Sequence, residues 1–344
     1  MKIKNIIIAI AFVAFLVLLN VFVQKGDDAH TKEFSTSTQG LPEAKPTQIV
    51  ELKDGGIFDL TASFVKKNIS GNEVRMLAYN GSIPGPTLKV PQGATITVNF
   101  KNNTDIANTI HSHGVRVANA FDGVPDITQK AVAPGDSFAY TLKFPDAGAY
   151  WYHPHMRDDY ALELGLYGNF LVTPTSPTYW NAVNREIAIF LDDILIKDGK
   201  IAPFYKNRTD RAMMGRFGNI MFTNGETDYT LSVKKGEVIR FYFTNSANAR
   251  PFNISIARIK MKLVGGDSGA YEREEWKDAV MVSPSERAIV EAFFDTAGEY
   301  EIQNKTPDKT YSLGKIIVSE EPAASANTGL FQTLHNNKEV TKSI

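Results

Sequence analysis

"NGSIPGPTLKVPQGATITVNFKN", Asn80 to Asn102, decides the fold, because the chain writes it twice. The second copy is "NGETDYTLSVKKGEVIRFYFTN", Asn224 to Asn245, and one gap aligns the two. They share the opening Asn-Gly, Thr-Leu-x-Val, the Gly of the turn and the closing Phe-x-Asn. Both are rich in β-branched and aromatic residues broken by Gly, Pro and Asn, which is the text of strands joined by tight turns. Downstream, "APGDSFAYTLKFPDAGAYWYHPH" from Ala133 lines up with "SPSERAIVEAFFDTAGEYEIQNK" from Ser283, matching Pro134 to Pro284, Gly148 to Gly298 and Tyr150 to Tyr300. Helical periodicity is scarce. The reading is therefore all-β, two copies of one β-sandwich domain over residues 48–175 and 184–319.

The totals fit two cores: 344 residues, 43% of them hydrophobic and 22% charged. With 37 basic against 38 acidic residues and no long basic run, nothing gathers a polyanion, so nucleic acid is not an expected partner. Residues 1–24 form a membrane anchor or signal segment, since Ile6 to Val23 carries no charge. At ~1.5 Å per residue that run is about 27 Å long, close to the bilayer core. Lys2 and Lys4 on its near side favour a cytoplasmic N-terminus, which exports the rest, and the absence of a small-x-small site favours a retained anchor over a cleaved signal. Residues 25–47 read as a polar tether. There is no cysteine, so neither a disulfide nor a thiolate metal ligand is available.

The repeat is an internal control for the histidines. "IHSHG" (Ile110 to Gly114) aligns with "FNISI" (Phe252 to Ile256), placing His111 against Asn253 and His113 against Ser255; His153 and His155 fall opposite Gln303 and Lys305. The fold thus does without these imidazoles in one copy and concentrates them, as two His-x-His pairs, in the other. On a strand, residues i and i+2 face one way with Cα atoms about 6.6 Å apart, so each pair aims two rings into one space. Four neutral imidazoles suit copper or zinc and not calcium or magnesium. Taken singly, a His-x-His is more often a polar-face coincidence; two pairs absent from the sister copy are not. Pro154 donates no ladder hydrogen bond, which predicts an edge or rim strand for its segment. His30 and His335 read as isolated solvated side chains, Trp151 and Tyr152 as core, and the adjacent Met213 and Met214 as weak candidates for soft copper contacts.

"HSHGVRVANAFDGVPDITQKAVAPG", "GAYWYHPH" and "LGLYGNFLV" together resemble the first cupredoxin domain of the multicopper oxidases, the laccase and copper-efflux oxidase family. "FLDDILI", "GNIMFTNG" and "VGGDSGAYE" are similar to that family's second, copper-free domain. The resemblance implies Greek-key cupredoxin sandwiches, copper as cofactor, and a trinuclear cluster that reduces dioxygen to water with electrons from a reducing substrate, a phenol or a metal ion. It implies that His111 is a ligand of the type 2 copper and that His113, His153 and His155 are ligands of the type 3 pair. It also assigns Asp122 to proton delivery, a role weighed against the plainer one of an Asp-Gly turn.

The sequence departs from the family in its last part. Residues 320–344, "EEPAASANTGLFQTLHNNKEVTKSI" from Glu320, read as a tail or linker, without the third domain's histidine motifs or the cysteine of a type 1 site. The expectation is half of a cluster, incomplete until a third cupredoxin domain is supplied by a missing segment or another chain. The alternative is a non-catalytic copper-binding or scaffold protein of the cell envelope. A two-domain copper nitrite reductase is excluded, since its type 1 copper also needs a cysteine.

Overall fold

A computed structural model of the chain describes residues 34–204, 215–324 and 327–337. The expected anchor over Ile6 to Val23, and Met213 and Met214, lie outside the described residues. No helix among the described residues is long and apolar enough to cross a membrane.

The first half holds β1 (Ile49–Glu51), β2 (Ile57–Ile69), β3 (Asn72–Tyr79), β4 (Thr87–Pro91), β5 (Thr95–Asn102), β6 (His111–His113), β7 (Ser137–Lys143), β8 (Gly148–His153) and β9 (Gly168–Thr173). They form two sheets of order β3-β2-β5-β7 and β1-β4-β9-β8-β6. Leu60, Val98 and Tyr140 from one sheet and Leu88, Trp151 and Phe170 from the other share one buried core.

The second half holds β10 (Arg185–Ile194), β11 (Ile196–Lys197), β12 (Lys200–Ile201), β13 (Ile220–Thr223), β14 (Thr230–Lys235), β15 (Glu237–Asn245) and β16 (Phe252–Ile256). It continues with β17 (Met261–Gly266), β18 (Gly269–Lys277), β19 (Val280–Val282), β20 (Arg287–Phe294), β21 (Gly298–Lys305) and β22 (Thr310–Pro322). Its main sheets run β13-β10-β15-β20-β17-β18 and β14-β22-β21-β16-β19, the first topology written again with extra strands. Even the parallel pairs recur, β2 with β5 as β10 with β15, and β4 with β9 as β14 with β22.

The quoted stretch explains why. Asn80 and Asn224 both adopt left-handed φ, at 51° each, before a glycine that does the same. Each uses its side chain to tie down the neighbouring strand: Asn80 Oδ1 accepts from Thr61 N at 2.7 Å, and Asn224 Oδ1 from Phe190 N at 2.8 Å. At the other end, Asn102 Nδ2 donates to the carbonyls of Ile106 and Val132, while Asn245 Nδ2 donates to those of Arg250 and Val282. Asparagine serves at these places because its short amide tolerates the left-handed region and satisfies buried backbone groups.

The halves pack against each other. Phe190, Ile194, Ile196 and Phe222 belong to the first core, and a small cluster of Ala149, Tyr242, Val264 and Ile289 bridges the two.

Both ends of the described stretch are tied down more than their composition predicts. Phe34 stacks on Tyr160 with ring centroids 3.7 Å apart, and Glu43 and Lys45 form bridges to Lys66 and Ser82, so the expected tether is fixed from Phe34 onward. The last strand runs through Pro322, past the expected boundary. Residues 327–337, expected as linker, dock on the β17–β18 hairpin. Phe331 is buried against Trp276 and Phe293, and the fully buried Lys262 ammonium donates to the carbonyls of Leu330 and Thr333. A cation suits the carbonyl end of this one-turn helix. Phe331→Ala is expected to release the segment, seen as faster proteolysis around residue 330 with little change in the main unfolding transition; an unchanged cleavage pattern contradicts the docking.

Candidate metal centre

Strand β6 is the edge of its sheet and β8 lies inside it. They run antiparallel, His111 opposite His153 and His113 opposite Trp151. Pro154 therefore does not mark an edge strand: it sits just past the last residue of β8, where no ladder bond is demanded of it. The chain turns there and brings His155 over the same space.

All four rings converge. Their centroids lie 5.2 Å (His111–His155), 5.3 Å (His111–His153), 5.5 Å (His111–His113 and His113–His153) and 6.0 Å (His153–His155) apart. One nitrogen each from His111, His113 and His153 fall within 4.8 Å of one another. His153 donates Nδ1–H to the Pro154 carbonyl at 2.7 Å, which leaves a lone pair on Nε2. That Nε2 lies 3.3 Å from His113 Nδ1, the span of two metal–nitrogen bonds of about 2.0 Å at a roughly tetrahedral angle. His111 donates Nδ1–H to the Asp122 carbonyl at 2.7 Å and likewise keeps Nε2 free. These second partners fix which nitrogen is presented, as metal-binding imidazoles require. The donor set fits copper or zinc.

Burial, with smaller effects from Arg287 and the other histidines, pushes His113 down to about 4, and burial with neighbouring His111 holds His153 well below the usual imidazole range. Both are ready to ligate at neutral pH. Because an unfolded histidine takes its proton near 6.5 and these resist it, the metal-free fold should lose stability as pH falls from about 6.5 toward 4. Melting curves across that window check this, and His113→Gln should flatten the fall; an equally steep fall in the variant contradicts it.

Asp122 ends a short 3-10 turn (Asn119–Phe121) and does not join two paired strands, so the plain hairpin reading does not describe it. Its carbonyl orients His111 and its carboxylate Oδ1 lies 3.4 Å from the same Nδ1. Trp151 is buried, but it is more than filler: it stacks on His153 at 4.1 Å and flanks His113 at 5.3 Å. Sequence reading missed Asp158. Its Oδ2 lies 4.0 Å from His155 Nδ1 and its buried Oδ1 has no partner, while burial raises its pKa. Its position three residues beyond His155 was the available signal.

Pairing also corrects the internal alignment. In the second half Ser255 is opposite Gln303 and Ile254 opposite Asn304. If His153 corresponds to Gln303, the residue matching His111 is Ser255 and not Asn253, two places along. Gly148 with Val172 and Gly298 with Val318 hold the partner strands in step, so the slip lies in β6 against β16. No imidazole occupies the matching places either way.

The multicopper oxidase family model matches residues 62–177, which contain all four histidines and Asp122. Over this stretch the chain is similar to the multicopper oxidases. The cofactor that family implies is copper. Copper resistance protein A of Escherichia coli is 28% identical over 335 residues, 84% of this chain and 53% of that protein. Copper resistance protein A of Pseudomonas syringae pv. tomato is 27% identical over 323 residues, 80% of this chain and 52% of that protein. The crystal structure of a multicopper oxidase from Pseudomonas thermotolerans superposes with a TM-score of 0.71 over 83% of this chain and 68% of the other, at 24% identity, a likeness of fold. The chain spans about half the length of the curated relatives it matches.

Proposed function

We propose that the chain is the two-domain part of a copper-dependent oxidoreductase and holds half of a trinuclear copper site. The observation that carries this is the convergence of His111, His113, His153 and His155, with the His113 and His153 nitrogens 3.3 Å apart. The cupredoxin domains are residues 48–175, with the ligands, and 184–319, without them; two main buried clusters support that division, although Phe190, Ile194, Ile196 and Phe222 pack into the first.

Bound copper would supply one-electron chemistry for reducing dioxygen to water. His111 serves the type 2 position, and His113, His153 and His155 the type 3 pair. His153 and His111 keep their Nε2 lone pairs outward because Nδ1–H is committed to a carbonyl on each. Asp122 holds a carboxylate beside His111, placed to pass protons toward the cluster. The remaining ligands, and the cysteine of an electron-entry copper, come from residues outside these 344, on a third cupredoxin domain. We place the sandwiches outside the cytoplasm, on the membrane side reached through Ile6 to Val23. Dioxygen and a phenol or metal ion are the substrates of the assembled enzyme.

A titration of the purified chain with copper, followed by calorimetry and electron paramagnetic resonance, tests the reading. Uptake with nitrogen hyperfine structure and no intense blue band is expected. A chain that binds no copper, or binds it equally with His111 and His113 both replaced by Ala, overturns it.

A further inference from the structure

The second sandwich carries no ligand, yet one of its arginines reaches the strands that do. Arg287, at the start of β20, has only 2% of its side chain exposed. Its Nε donates to the Ala149 carbonyl on β8 at 3.3 Å. On the other side, Gly114 follows His113 directly at φ +82°, and a Cβ there would lie 2.5 Å from Arg287 Nη2 and 3.2 Å from Tyr150 Cδ1. The guanidinium is thus wedged against the turn that ends β6 and bonded to the strand that carries Trp151 and His153.

It is held rigidly from behind. Nη1 donates to Ser285 O at 2.8 Å and pairs with Asp267 Oδ1 at 3.0 Å, Nη2 donates to Asp267 O at 3.0 Å, and the Arg287 amide donates to Asp267 Oδ1 at 2.7 Å. Asp267 is the turn residue of "VGGDSGAYE". The planar fork, bonded at every nitrogen, holds a fixed geometry that a flexible ammonium does not. Next to it Gly148 meets Gly269 closely enough that a Cβ on Gly148 would stand 3.1 Å from the Gly269 Cα. Strand β8 and the turn after β6 thus meet the second domain at Ala149, Gly148 and Gly114, two of these contacts being made by Arg287.

We infer that Arg287 is a positioning residue for the histidine pairs, the means by which the ligand-free sandwich fixes β6 and β8 so that His113 and His153 face one metal. The inference rests on the copper reading of the site. Electrostatics alone predicts the opposite sign, since a buried cation repels a copper ion and already helps to disfavour the protonated form of His113. If Arg287 is only a nearby charge, removing it tightens copper binding. If it is a brace, removing it loosens binding, by roughly 10- to 100-fold for a group that orients ligands.

Arg287→Met keeps the length and apolar stem while deleting charge and fork. Copper affinity of the full chain by calorimetry should fall by that factor, Arg287→Lys should recover little of it, and Asp267→Asn, which keeps the arginine but weakens its anchor, should fall between. Equal or tighter copper binding in Arg287→Met overturns the inference; where that variant fails to fold, undiminished binding in Asp267→Asn does so. A copper-free readout separates this from the reading beneath it. Nitrogen-15 spectra of the imidazoles in the metal-free protein should show single tautomers at His113 and His153 in the wild type and mixtures in Arg287→Met. A wild type that takes no copper removes the copper reading, while the ring spectra still decide the bracing, and unchanged spectra overturn it.

Discussion

His153→Ala is expected to abolish copper uptake at the cluster while costing the fold no more than about 1–2 kcal/mol. The loss of binding follows from the pairing of His153 Nε2 with His113 Nδ1 at 3.3 Å: without it His113 has no second nitrogen at that span. The small cost follows from what the ring does for the fold. It stacks on Trp151 and bonds the Pro154 carbonyl, two contacts of modest net worth, and the sister strand stands with Gln303 at the equivalent place. Trp151→Ala is the calibration, since a buried tryptophan typically costs 3–5 kcal/mol when truncated. Copper titration with a denaturation curve on each variant decides it. Undiminished uptake in His153→Ala, or a stability loss as large as that of Trp151→Ala, makes the histidine structural.

The fold was legible because its determinants are local. Alternation places side chains on the two faces of a strand, and the Asn-Gly and Phe-x-Asn marks of each copy turned out to be backbone-tying asparagines at equivalent places. The histidines were legible through contrast, a chemical residue set in one copy against polar residues in the other. The slip of β6 against β16 was not. A shift of two residues leaves every side chain on its original face, so a period-two pattern cannot detect it. Arg287 was hidden for a different reason: its contact with Ala149 spans 138 residues, and nothing local in "SERAIV" distinguishes it from a surface arginine. The tail was misread because, of Leu330, Phe331 and Leu334, only Phe331 is buried, and the burial it finds is supplied by Trp276 and Phe293, far away in sequence.

Gly123→Ala is expected to cost about 3–5 kcal/mol and to weaken copper binding, whereas Asp122→Asn beside it should do neither. Gly123 sits at φ +77°, and a Cβ there would lie 2.0 Å from the Ile110 carbonyl oxygen and 2.9 Å from the His111 amide nitrogen. Ile110 cannot yield, being buried with its amide bonded to Tyr140 Oη at 2.9 Å. The turn must move instead, and with it the Asp122 carbonyl that fixes the His111 ring. A histidine freed of such a partner commonly loses 10- to 100-fold in metal affinity. Asp122→Asn leaves that carbonyl in place and removes only the exchangeable proton site, so on the proposed proton-delivery role its effect is confined to oxidase turnover. The two variants therefore separate holding the metal from feeding it protons. Calorimetric copper affinity and a melting curve on both will show it: should Asp122→Asn lose copper as Gly123→Ala does, the carboxylate and not the backbone is what positions His111.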